Sequence, residues 1–213
     1  MLMYLVICVL KCKVNNFYIE RKIKMFLENI LDNPTCQPVA ERYKKWYEFM
    51  EKNVEFSFID SEMHTKHHCA RVLLLALMIA HQIGLSDEEM NSLSMAAVFH
   101  DSRRLDDWLD TGHGKRAAEY YKESYSKYDI YFDERTYYVM AYHDRDDVLG
   151  LSEIKKSPAL SENCILLYKI FKDSDGLDRF RLGPDGLDVN MLRTKEASKL
   201  VDFAKYLLKK SSE

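Results

Sequence analysis

A helical period runs through nearly all of this 213-residue chain, and only 7 glycines and 4 prolines interrupt it. Sandwiches and barrels of many short strands need frequent turn residues, so the pattern predicts an all-α domain. After Pro38, a good first-turn residue, Val39, Tyr43, Trp46, Met50 and Val54 recur at helical spacing. A second run extends from His64 to about Ile83, with Val72, Leu75, Ala76 and Ile79 on one side and Gly84 as its stop. Ser86-Asp-Glu-Glu89 reads as a capping box that opens a third helix through Leu93, Ala96, Ala97 and Val98. Further helices are expected from Lys115 to Tyr125, from Asp133 to Tyr142 and from Ser161 toward Asp175. Gly183-Pro-Asp-Gly186 breaks the chain, and Thr194 caps a last amphipathic helix carrying Leu200, Val201, Ala204, Leu207 and Leu208. A chain of this length can bury one good-sized core, and no repeat, low-complexity tract or linker divides it.

The balance of residue types narrows the function classes. Apolar residues make up 47% and charged residues 31%, as in a soluble globular protein. A net charge of −3 provides no electrostatic footprint for a nucleic-acid polymer. The five cysteines (Cys8, Cys12, Cys36, Cys69 and Cys164) are scattered and form no CxxC pair, which argues against a disulfide framework and fits a reducing cytoplasm. Met1–Leu10 is apolar and ends at Lys11 and Lys13. It is shorter than the roughly 20 residues that span a bilayer, and no basic residues precede it as in a secretory signal. Residues 1–24 are therefore expected to be an extension or loosely packed appendage of a domain over 25–213, with Met25 as an alternative natural start and no membrane partner.

Chemistry enters where the third helix ends, in Met95-Ala-Ala-Val-Phe-His100-Asp101. An imidazole and a carboxylate at the end of an apolar helix cost several kcal/mol to bury uncompensated. A divalent cation compensates them, because such ions accept mixed imidazole and carboxylate donors. His68 lies earlier, and Asp175 lies later in Lys172-Asp-Ser-Asp-Gly-Leu-Asp178. The order His…His-Asp…Asp thus reads as a metal centre assembled from three helices. Singly, each residue has a blander reading: a lone histidine usually lies at a core edge, and Asp173, Asp175 and Asp178 suit a solvated helix end. His64 lies four residues before His68 and shares its helix face; Arg71 lies three beyond it.

The blocks His68-Cys-Ala-Arg71-Val72, Ala96-Ala-Val-Phe-His100-Asp101 and Lys172-Asp-Ser-Asp175-Gly-Leu-Asp178 resemble the HD superfamily of metal-dependent phosphohydrolases. The resemblance runs from about His64 to Gly183. Phe99-His-Asp-Ser-Arg-Arg104 followed by Gly112-His113-Gly114 is similar to one bacterial branch of it. The resemblance implies a single HD-like helical bundle and the metal ligands His68, His100, Asp101 and Asp175, with Asp173 as runner-up within the acidic run. It also implies a role for His113 and His143, as ligands of a second ion or as contacts to a substrate phosphate. The cofactor expected is one divalent ion (Mn, Fe, Mg, Co, Ni or Zn) or two.

The chemistry expected is hydrolysis of a small phosphate ester, with Asp101 binding the ion and orienting the attacking water. Arg71, Arg103, Arg104 and Lys115 lie near the motifs and could offer cationic donors to the phosphate. A nucleotide or related compound is the substrate class the resemblance implies. Two alternatives remain open at this point: a dinuclear iron oxygenase of the same superfamily, and a non-catalytic metal-binding module. No nucleophilic triad, phosphate-cradling glycine loop or dinucleotide fingerprint is present.

Overall fold

The computed structural model describes residues 30–212 apart from 60, 62, 158, 159 and 161. The expected extension over 1–24, Met25, Cys8 and Cys12 lie outside the described residues. Nine α-helices are described: α1 (Ala40–Asn53), α2 (Lys66–Ile83), α3 (Asp87–Phe99), α4 (His113–Ser124), α5 (Glu134–Tyr142), α6 (Asp147–Lys156), α7 (Glu162–Asp178), α8 (Lys195–Lys199) and α9 (Val201–Ser212). No strand occurs among the described residues, so the protein is an all-α bundle. None of the described helices is long and apolar enough to cross a membrane.

The bundle is built around α2. Every residue from His68 to Ala80 is buried, because α3 and α7 pack on it while α1 covers another side. Sequence spacing predicts a one-sided helix here; the run is apolar on all faces, as a central helix must be. Gly84 ends it in the left-handed region at φ 84°, its amide donating to Ala80 O at 3.0 Å. The expected capping box then opens α3: Glu89 N donates to Ser86 Oγ at 3.3 Å, and Ser86 N donates to Glu89 Oε2 at 2.8 Å.

Two features depart from the sequence expectation. Helix α6 is additional; Asp146 caps it by accepting from Leu149 N at 2.9 Å, but only Gly150 and Ile154 of its residues are buried. So thin an apolar stripe leaves little period to read. The terminal helix is broken in two at Leu200, whose side chain is buried in the core while the backbone leaves helical geometry. Thr194 still caps its first piece, accepting from Ala197 N at 3.3 Å. Cys36, Cys69 and Cys164 are free and buried.

Candidate metal centre

Four histidines come from four helices, and each is oriented by its own Nδ1. His100 and His143 follow the last residues of α3 and α5, and donate to the carbonyls three residues back, Ala97 O at 2.8 Å and Met140 O at 2.7 Å. His113 opens α4 and donates to Asp110 O at 2.7 Å. His68, in the first turn of α2, donates to Asp178 Oδ2 at 2.7 Å. Carbonyl and carboxylate oxygens only accept, so Nδ1 carries the hydrogen and each neutral ring keeps its lone pair on Nε2. Those lone pairs face each other: Nε2 of His68 and His100 are 3.2 Å apart, and Nε2 of His113 and His143 are 3.0 Å apart. Two lone pairs so close repel unless a metal ion lies among them or a proton sits on one of the two rings. The donor arrangement fits a metal.

Both expected carboxylates join these rings. Asp101 Oδ1 lies 3.0 Å from His113 Nε2, 3.9 Å from His100 Nε2 and 4.0 Å from His143 Nε2. Asp101 Oδ2 accepts from His64 Nδ1 at 2.8 Å and lies 3.5 Å from His68 Nε2. Asp175 Oδ1 is 3.3 Å from His68 Nε2. Three triads, His64–His68–Asp101, His68–His100–Asp175 and His100–Asp101–His143, each gather their donor atoms within 4.8 Å. This buried His/Asp group could hold a metal ion.

Electrostatics reinforce the donor set. Burial works to raise Asp101, yet His100, His113, His64 and His68 hold its carboxyl well below the usual range. Burial likewise opposes ionisation of Asp175, and His68, His100 and His143 outweigh it. Burial pushes His100 down to about 3 and lowers His143, keeping both rings neutral as ligands must be. His68 and His113 shift the other way: burial lowers both, but Asp175 and Asp178 beside His68, and Asp101 beside His113, leave them raised.

The acidic run at the end of α7 divides into three tasks. Asp175 faces the histidines. Asp173, the runner-up ligand, is turned away and accepts from Arg193 N at 2.9 Å, Thr194 N at 2.8 Å and Thr194 Oγ1 at 2.8 Å, anchoring the start of α8. Asp178 is buried rather than solvated, and accepts from Arg71 Nε at 2.6 Å and Nη2 at 2.9 Å as well as from His68. Arg71 is thereby committed to Asp178, which orients His68, and does not line the cleft where the expected phosphate contact would be made. Lys115 also stays away, exposed and bound to Tyr137 Oη at 2.5 Å and Glu119 at 3.3 Å. Arg103 lies over the Tyr120 ring at 3.3 Å. Of the expected cations, Arg104 alone reaches the centre: Nη1 is 3.2 and 3.3 Å from the two ring nitrogens of His113, hence over the ring face, and 3.8 Å from Asp101 Oδ1.

Asp101, His113, His143 and Asp175 open onto a cleft of about 670 Å³, lined also by Asp144, Arg145 and Arg181, with His68 and His100 buried behind them. Arg181 Nη2 lies 3.4 Å from His64 Nδ1. Asp144 Oδ2 accepts from Gly112 N and lies 3.6 Å from His113 Nδ1, while its buried Oδ1 has no hydrogen-bond partner among the described residues. Gly112, at φ 98°, turns the chain into α4, and a Cβ on Gly114 would collide with the His143 ring and Met140 O. That close approach is why glycine follows His113. His64, already placed beside His68 by its spacing, is joined at the cleft by Asp144 and Arg181, which spacing did not single out. A signal existed for Asp144, since His143-Asp144 repeats the dipeptide His100-Asp101. No protein-family model, curated protein or solved structure matches this chain.

Proposed function

We propose that this protein is a metal-dependent phosphohydrolase of the HD type that cleaves a small phosphate ester. The observation that carries the reading is the pair of facing Nε2 contacts, 3.2 and 3.0 Å, closed by Asp101 and Asp175 inside a cleft that also holds arginines. His68, His100, Asp101 and Asp175 would hold one divalent ion. His113 and His143 face one another as His68 and His100 do, which supports a second ion over a phosphate contact; these two histidines would hold it together with Asp101, whose Oδ1 is 3.0 Å from His113 Nε2. A divalent cation lowers the pKa of a bound water from about 15.7 toward ~7 and neutralises phosphoryl charge. Asp101 would orient the attacking water, and Arg104 and Arg181, which line the cleft, would offer guanidinium donors to phosphate oxygens. Water adds at phosphorus, the ester P–O bond breaks, and the alcohol leaves with a proton.

Elemental analysis of anaerobically purified protein, followed by phosphate release from a panel of esters, tests this. Close to two divalent ions per chain and chelator-sensitive hydrolysis are expected. Metal-free protein, or hydrolysis indifferent to chelator, would overturn it. Nucleotides are the first class to assay, on sequence resemblance alone. The convergence of all six donors also favours a second reading, a dinuclear iron oxygenase. Oxygen consumption with a non-phosphorylated substrate, dependent on iron and on both His113 and His143, would establish it instead.

A further inference from the structure

The mouth of the cleft is apolar. Trp108 is 81% exposed, Leu109 94%, Leu182 45% and Met191 63%, and all four line the same cleft as Asp101, Asp175 and His143. Apolar surface gathered around a site and left in water marks a place where something binds.

The loop presenting Trp108 and Leu109 is pinned from within. Arg104 Nη2 donates to Trp108 O at 2.6 Å, Trp108 N donates to Asp106 Oδ1 at 2.8 Å, and Leu105 N donates to Asp110 Oδ2 at 2.8 Å. The same Arg104 lies against His113 and Asp101, so one guanidinium couples the apolar tip to the candidate metal centre. The segment between Leu182 and Met191 is held by Arg179 Nε donating to Gly186 O at 2.9 Å, where a Cβ on Gly186 would strike Arg179 O. Carboxylates at the mouth are already engaged: Asp107 with Ser61, Asp110 with Arg116 and Asp188 with Asn190. A cationic, metal-binding interior behind an apolar mouth is complementary to a molecule anionic at one end and apolar at the other.

We infer that this rim selects the organic part of the substrate by its apolar surface. The occupant is a small amphiphilic phosphate ester, its alkyl or aryl group lying against Trp108, Leu109, Leu182 and Met191 while its phosphate enters the cleft. For the reaction, though not for binding, this rests on the phosphohydrolase reading above.

Metal-loaded protein is given methyl, butyl and hexyl phosphate below their micellar concentrations, and both phosphate release and tryptophan emission are followed. Trp46 is buried and Trp108 exposed, so a blue shift on titration reports the rim. The expected result is kcat/KM rising about two- to fourfold per methylene, the upper figure being full burial, with a saturable blue shift for hexyl but not methyl phosphate. The double variant Leu109→Ser, Met191→Ser keeps the reporter and brings the hexyl-to-methyl ratio toward one. Turnover that is flat along the series in the parent protein, without a shift, overturns the rim and leaves the hydrolase standing. A hexyl-dependent shift with no phosphate release supports the rim and overturns the hydrolase. Neither signal overturns both. A changed sedimentation coefficient in the double variant assigns the patch to contact between copies, and a shift with phosphatidic acid vesicles but not hexyl phosphate assigns it to a membrane; either overturns the inference.

Discussion

Two His-Asp dipeptides close two helices of this protein, and their aspartates part company. His100-Asp101 follows α3, and His143-Asp144 follows α5. Both histidines donate Nδ1 to the carbonyl three residues back, at 2.8 and 2.7 Å, so both Nε2 atoms point into the same centre. Asp101 then lies beneath α2 and α4, with His64, His68 and His113 around its two oxygens. Asp144 instead meets the start of α4, accepts from Gly112 N and leaves one oxygen without a hydrogen-bond partner among the described residues. Helix-end geometry aims the imidazole in both cases. What packs across the helix end decides the task of the carboxylate.

Replacing Asp101 by Asn keeps its shape and removes its charge, and should break the comparison most severely. Bound metal is expected to fall to near zero and turnover by about a thousandfold or more, the several kcal/mol a metal supplies, while far-UV circular dichroism stays helical. Metal at the parent stoichiometry in Asp101→Asn would sink the assignment. Next come the two capping histidines. His143→Ala should release about one of two ions and leave the set of His68, His100, Asp101 and Asp175 occupied, whereas His100→Ala empties that set. Unchanged metal content with weakened substrate binding in His143→Ala would return it to phosphate contact.

Asp144→Asn should be milder. Its carboxylate orients α4 and His113 from outside the ligand set, so chelator competition is expected to show about 10- to 100-fold weaker metal binding. A loss as complete as that of Asp101→Asn would erase the distinction between the dipeptides. The same contrast runs along α7. Asp175→Ala should lose metal, whereas Asp173→Ala should keep it and lower the denaturant midpoint by an equivalent of about 1–3 kcal/mol, the cost of orphaning buried donors at α8.

The smallest effect lies outside both dipeptides. Burial works to raise Asp147, but Arg193 and Lys172 bring it to about 2, below its ordinary 3.8. A depressed folded-state value means stabilisation that is present above about pH 3.8 and lost as pH falls toward 2. Its side chain is 37% exposed, so screening holds the contribution to about 1 kcal/mol or less. Acid unfolding of metal-free Asp147→Asn should be correspondingly less steep across that window.

Much of the fold and of the donor set was legible in the chain. Gly84, the Ser86–Glu89 box and Asp133 mark helix ends by chemistry that acts within a few residues, and the structure has them in those roles. His100 and Asp101 stood out because charge at the end of an apolar helix is costly, whereas His68 and Asp175 were singled out by the resemblance of their blocks to the HD pattern. Helix α6 and the break at Leu200 were not legible, since one has almost no apolar stripe and the other interrupts a stripe that reads as continuous. Arg71 and Lys115 were misread for a different reason. Closeness to a motif along the chain says nothing of what a long side chain will meet.

The sequence by itself determined an all-α chain, the order of its helices and a set of histidines and aspartates in metal-binding order, because period, caps and donor type are properties of neighbouring residues. Tertiary structure alone decided that Asp173 turns to the start of α8, that Asp178 takes Arg71 from 107 residues away, and that Arg181 borders the centre. Those outcomes depend on which helix lies across from which. Burial and hydrogen bonding between distant segments settle that, and neither is written in the local pattern.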